Sequence, residues 1–159
     1  MVYVIVGASA SGINAAKTLR ENDKGIEIIL VSKDEYVYSR CILHHFLDGR
    51  RKIKALDFTP ANFFEDYKIK WIKGVEVTGI DTSVKKLKLS NGEDLNYDKV
   101  LLAAGSSSFL PPIENLRTAN NIVGLRNLDD AIKIKEEATK VKNVAILGAG
   151  LVGVDVLAG

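Results

Sequence analysis

Apolar runs rich in β-branched residues alternate with helical periodicity along the first third of the chain. Residues 2–6 (VYVIV) are such a run and predict a buried strand. A glycine-bearing turn from Gly7 to Gly12 follows, and residues 13–21 (INAAKTLRE) carry apolar positions at helical spacing. Asn22, Asp23 and Gly25 end that helix, and residues 26–31 (IEIILV) predict a second buried strand. Strand, turn, helix and strand within about thirty residues make a βαβ unit, which implies a parallel sheet.

The pattern then becomes finer. Residues 40–48 (RCILHHFLD) predict a short helix closed by Gly49, and Pro60 stands at a helix start before 61–67. Four short β-type segments follow at 69–72, 75–80, 84–89 and 93–96, the last two joined through Asn91-Gly92, a hairpin turn signal. Residues 99–104 (KVLLAA) predict another buried strand, ended by Gly105. Pro111-Pro112 marks a domain boundary. Beyond it come an irregular stretch with a strand near Ile122, an amphipathic helix over 128–140, and a strand over 143–147. The expected division is therefore 1–110, 111–141 and 142–159.

Composition narrows the class. Apolar residues make up 47% of 159, enough for a packed core, and the formal charge of +2 is too near zero to indicate nucleic acid or an anionic membrane. The lone cysteine, Cys41, excludes an internal disulfide framework. No apolar stretch reaches the length of a membrane span, and the N-terminus lacks a basic leader region, so the expected location is the cytoplasm. With one cysteine and two histidines, no metal site is expected.

The candidate chemistry lies in two glycine turns. A glycine turn between strand and helix aims backbone N–H groups and a helix N-terminus at a pyrophosphate. The C-terminal copy, Gly148, Gly150 and Gly153, is complete. The N-terminal copy reads G-A-S-A-S-G: Gly7 and Gly12 are in place, and Ser9 stands at the middle glycine position, with Ala10 and Ser11 beside it. The acid that holds ribose hydroxyls about twenty residues further on is replaced by Ser32, followed by Lys33, Asp34 and Glu35. Ser32 can bond a ribose hydroxyl, or Asp34 or Glu35 reaches back, or all are solvated loop residues.

In order and spacing these motifs resemble the pyridine nucleotide–disulfide oxidoreductases. GVEVTGID (74–81) resembles the family segment whose valine, here Val77, meets the FAD adenine through its backbone. YDKVLLAAG (97–105) resembles the strand ending in an A-T-G turn, here Ala103, Ala104 and Gly105. LPPI (110–113) and VGLRNLDDA (123–131) resemble the connection into the NAD(P)H domain. The resemblance implies an α/β, Rossmann-like FAD-binding domain: a parallel sheet with helices plus a small antiparallel β segment. It is the first segment of a two-dinucleotide flavoprotein, and 142–159 opens a second domain for NAD(P)H. It implies an FAD-dependent NAD(P)H oxidoreductase present as a fragment, inactive alone and homodimeric in its full-length form. Its electron acceptor would be a small redox protein, oxygen, peroxide or a disulfide. The competing reading is a nucleotide-binding module without redox activity.

By the same resemblance, YSRCILHHFLDG (38–49) lies beside the flavin. Cys41 with Leu43 matches relatives that carry a single redox cysteine, whereas Arg40 with Leu43 matches relatives with an arginine–proline pair. Cys41 is then either a redox thiol or a small buried residue in the proline position. His45 stands where some relatives carry a lysine near the flavin; it donates to the flavin or carries a proton there, or it is an ordinary helix histidine. The paired-cysteine classes are excluded by the lone Cys41. Phe63, Phe64, Tyr67 and Trp71 are expected in packing, and Lys85, Lys86 and Lys88 on a solvated strand face.

Overall fold

A computed structural model describes residues 1–158; Gly159, which the sequence places within a helix, lies outside the described residues. The strands and helices divide into two compact units, Met1–Val37 with Phe58–Gly105, and Tyr38–Asp57 with the chain from Ser106 onward. Residues 38–57, which the sequence reading keeps within 1–110, thus pack with the later part of the chain.

The first unit is built on a parallel sheet. Strand β1 (Val2–Val6) leads through the glycine turn into helix α1 (Ala10–Asn22), and β2 (Glu27–Ser32) returns beside β1 in parallel register, Val2 against Glu27. Helix α2 (His44–Leu47) belongs to the second unit, and the short α3 (Phe63–Asp66) precedes β3 (Ile69–Lys73). Strands β4 (Val77–Asp81), β5 (Lys86–Leu89) and β6 (Asp94–Asn96) form a small antiparallel sheet, with the Asn91-Gly92 turn between the last two. Strand β7 (Lys99–Leu102) completes the main sheet in the order β3-β2-β1-β7.

Both faces of β1 and β2 are covered, which is why these strands read as continuous apolar runs; β7 is not the buried strand expected over 99–104, since at the sheet edge Leu101 and Leu102 stay 43% and 63% exposed. Alternation sends Ile5, Ile28 and Leu30 to one face, where Ile13 and Ala16 of α1 and Phe63 pack on them. It sends Val4, Val6, Ile29 and Val31 to the other, against Leu87, Leu89 and Tyr97. The expected aromatics do serve this packing: Phe64 stacks on Trp71 at 4.5 Å between centroids, and Phe63 meets Phe64 edge-on.

Segment 69–72 forms a strand as expected and joins the main parallel sheet, where β3 pairs with β2, Ile28 against Ile69. Two expected strands are missing. No strand forms near Ile122. Nor does one form over 143–147: among the described residues nothing pairs with this run, and Val144 and Leu147 stay exposed. An apolar run becomes a strand only where a neighbour takes up its backbone hydrogen bonds.

The second unit is helical. Helix α4 (Leu128–Ala138) starts with a complete capping box: Asn127 accepts from the Asp130 amide, and Asp130 accepts from the Asn127 amide. Its first amide, Leu128 N, donates to the buried Tyr38 hydroxyl at 3.1 Å. Tyr38, Leu43, Leu56, Leu128 and Ala131 form the core of this unit, and α5 (Leu151–Ala158) follows the second glycine turn.

Candidate nucleotide-binding site

The first glycine turn is held by close backbone approach. Gly7 has φ +112°, a conformation that side chains rarely adopt, and its amide donates to Val31 O at 2.8 Å. A Cβ on Gly7 would lie 2.3 Å from Ala103 O, and a Cβ on Gly12 would lie 1.8 Å from Gly7 O. The turn therefore seats α1 directly on the end of β1 and packs against the end of β7. Residues 7–12 and 103–105, named separately from the sequence, meet here, and Gly105 ends the segment at φ +74°. Ser9 is the N-cap of α1, but its side chain makes no capping bond, and the first turn of α1 holds no acidic residue. Uncapped amides without a nearby carboxylate are the requirement for anion binding at a helix start.

The second turn repeats this geometry. Gly148 has φ +109°, and a Cβ on Gly153 would lie 2.3 Å from Gly148 O. Ile146 Cγ2 lies 3.5 Å from that position, as Ile5 Cγ2 lies 3.4 Å from the one on Gly12. The helices start alike: Ile13 N donates to Ser9 O and Val154 N to Gly150 O, both at 3.0 Å. The middle position differs. Gly150 has open space around its would-be Cβ, where the first turn carries a half-buried Ser9.

Ser32 does not stand free for a ribose. It is 4% exposed; its hydroxyl donates to Asp34 O at 2.8 Å and accepts from Trp71 Nε1 at 3.0 Å. Its one proton is committed, which leaves a single lone pair. Lys33 beside it is exposed, and Glu35 folds against Gly74, 3.5 Å from the position of a Cβ there. The Trp71 bond was not legible in the sequence, since no local signal joins residues 39 apart. Val77 opens β4 at a register shift between Val77 and Gly79 in the pairing with β5.

The Cys41 segment lies in the second unit. Arg40–Ile42 is a single 3₁₀ turn, and α2 follows it, so the expected helix over 40–48 forms in two pieces that Gly49 ends at φ +78°. Cys41 is exposed. Arg40 lies over the Tyr38 ring at 5.0 Å. His45 Nδ1 is buried and faces Asp48 Oδ2 at 3.6 Å, just beyond hydrogen-bond reach. Burial works to raise the Asp48 pKa, but the Arg50 amide and guanidinium, together with His45, outweigh it and hold the carboxyl below the usual carboxylate range. His44, which the sequence left without a role, faces Asp155 of α5 at 3.7 Å, and the two imidazoles lie 4.1 Å apart.

Among the described residues no group of three or more His, Cys, Asp and Glu is arranged to hold a metal, and no helix is long and apolar enough to cross a membrane.

Comparison with known proteins agrees with the double glycine turn. The chain is 30% identical to an NADH oxidase of Methanocaldococcus jannaschii, over 100% of its own length and 37% of that protein. It is 32% identical to a rubredoxin-NAD(+) reductase of Alcanivorax borkumensis, covering 94% of this chain and 39% of that one. Among solved structures, the NADH:rubredoxin oxidoreductase of Clostridium acetobutylicum superposes with a TM-score of 0.86 at 27% identity, over 98% of this chain and 41% of that one. The chain thus spans about two fifths of the length of the curated relatives it matches. The family model for pyridine nucleotide-disulphide oxidoreductases matches residues 1–158, and the chain belongs to that family.

Proposed function

We propose that this chain forms the flavin-binding part of an FAD-dependent NAD(P)H oxidoreductase, together with the opening of its NAD(P)H-binding part. The observation that carries the reading is the repetition of one backbone geometry in two glycine turns, each between an apolar run and a helix. Relatives named NADH oxidase and rubredoxin-NAD(+) reductase support the activity. The residues present fit two dinucleotides. Both turns bring a helix start to within a distance that only glycine tolerates, and neither α1 nor α5 has an acid in its first turn to repel a phosphate.

When bound, the flavin accepts a hydride from NAD(P)H and passes electrons to an acceptor. The protein supplies placement. Gly7, Ser9, Ala10, Ser11 and Gly12 would hold the FAD pyrophosphate, Lys33 and its neighbours the ribose, and the Val77 backbone the adenine. Gly148, Gly150 and Gly153 would hold the pyrophosphate of NAD(P)H. Because the Ser32 proton is already used, Ser32 acts through the shape of the β2 end rather than as a ribose donor. Cys41, exposed at the surface, is open to a disulfide or a peroxide, and His45, which faces Asp48 on the helix that follows, is the imidazole we assign to carrying a proton.

The test is a titration of the 159-residue chain with FAD and, separately, NADH, followed by absorbance and fluorescence. Saturable FAD binding supports the reading. Tight NADH binding without FAD binding replaces it with a nucleotide-binding module that has no flavin. The chain alone is expected not to turn over NADH, since it spans only about two fifths of its relatives. Replacement of Cys41 by Ser in the full-length protein then separates thiol-linked reduction from plain electron transfer.

A further inference from the structure

Helix α5 is lightly held. Leu151, Val152, Val154 and Leu157 are exposed, and among the described residues none after Ile132 belongs to an apolar core cluster. With so little burial, a single ion pair makes up much of its attachment. Such a pair is present. His44 Nδ1 of α2 faces Asp155 Oδ2 of α5 at 3.7 Å, the two side chains being 18% and 47% exposed.

The other charged groups around α2 have partners elsewhere. On α2 and the turn after it, His45 faces Asp48, and the Arg50 guanidinium pairs with the same carboxylate. On α4, Lys135 donates through Nζ to Phe46 O and Leu47 O, and Asp130 accepts from the Arg126 and Asn127 amides. In the 3₁₀ turn before α2, Arg40 lies over the Tyr38 ring and the Cys41 thiol is exposed. The His45 imidazole stands 4.1 Å from that of His44, so a charge on one opposes a charge on the other. Asp155 is thus the carboxylate that faces His44, and imidazole is the side chain that ordinarily gains or loses its charge between about pH 5 and 8.

We infer that His44 and Asp155 form a pH-dependent latch between α2 and α5. With His44 protonated, an imidazolium faces a carboxylate and holds α5 against α2. With His44 neutral, that attraction is gone and only slight packing remains. The consequence for ligand binding rests on the function proposed above. Asp155 lies one turn into the helix that begins at the second glycine turn, so its negative charge works against a dinucleotide phosphate there. The imidazolium offsets this charge and steadies the turn, and both effects make NAD(P)H binding tighter at the lower pH. His44 acts here as a positioning residue, through Asp155 and α5.

The test is hydrogen exchange of the α5 amides in the 159-residue chain at pH 6.0 and 8.0, corrected for the intrinsic pH dependence of exchange. Protection is expected to be about two- to fivefold greater at pH 6.0, the range of a partly exposed ion pair. His44→Gln and Asp155→Asn, each checked by circular dichroism for an unchanged fold, are expected to remove the difference. His44→Lys, a cation at both pH values, is expected to keep the higher protection at pH 8.0. An imidazole that served only packing would not be replaced by lysine in this way. Equal wild-type protection at the two pH values, or a difference that survives in His44→Gln, overturns the latch. NADH titration of the same proteins keeps the two ideas apart. Binding that weakens from pH 6.0 to 8.0 in wild type but not in His44→Lys supports both. Absence of NADH binding beside pH-dependent protection of α5 sinks the reading of the second turn alone, and pH-independent protection beside NADH binding sinks the latch alone.

Discussion

Substitution of Gly12 by Ala tests the account of the first turn most directly. The new Cβ would stand 1.8 Å from Gly7 O, about 1.5 Å inside van der Waals contact, and the obstacle is backbone rather than a side chain that can swing away. Relief requires α1 to lift from the end of β1. That movement would drag Ile13 and Ala16, which are 4% and 0% exposed, out of the core they share with Ile5 and Leu30. The expected cost is about 3 kcal/mol, at the upper end of overpacking penalties. In a domain of this size that lowers the thermal midpoint by about 6–12 °C. Gly150→Ala is the internal control: nothing lies within 4 Å of its would-be Cβ, and the expected change is within about 0.5 kcal/mol. Thermal unfolding by circular dichroism measures both, and FAD titration of the Gly12 variant is expected to show lost or much weakened binding. A Gly12→Ala midpoint within about 2 °C of wild type would refute the close-approach argument.

Arg20 donates to five carbonyls, Asp23, Lys24 and Ile26 after α1 and Tyr67 and Lys68 before β3, so Arg20→Ala is expected to destabilise the first unit by about 3 kcal/mol, read by urea denaturation. Tyr38→Phe removes the buried acceptor of Leu128 N and is expected to cost about 1–3 kcal/mol, with earlier hydrogen exchange at the start of α4. Asp48 has its folded pKa lowered, so its contribution is complete above the unfolded value and is lost as pH falls through the folded one. Asp48→Asn should therefore reduce the midpoint near neutrality and flatten its decline below about pH 4, in melts across that range. Cys41 is exposed, and one equivalent of thiol should react with a disulfide reagent in the native chain; a thiol that reacts only after denaturation would contradict the structure.

Features that rest on neighbours in sequence were legible before the structure. The β-branched runs of β1 and β2, the periodicity of α1 and α4, and the glycines at turns with positive φ state their conformations locally, because dihedral preference and burial pattern act over a few residues. The order of the glycine turns and of the segments at Val77 and Ala103–Gly105 was enough to point to the family. The positions of Ser32 and Cys41 along the chain were also plain, but not their environments.

What the tertiary structure decided rests on partners far away in sequence. Strand β3 entered the main sheet because β2 lay open to pair with it, while residues 143–147, with equally apolar character, found no partner among the described residues and formed no strand. The Ser32 hydroxyl was claimed by Trp71, and His44 was brought to Asp155 more than a hundred residues away. Even the demand for glycine at position 12 comes from a carbonyl that only the folded turn brings to it. Sequence alone determined which segments were able to become strand, turn or helix. Which of them paired, and which polar groups were spent inside the protein rather than left for a ligand, was settled only when distant backbone and side-chain groups competed for the same hydrogen bonds and the same space.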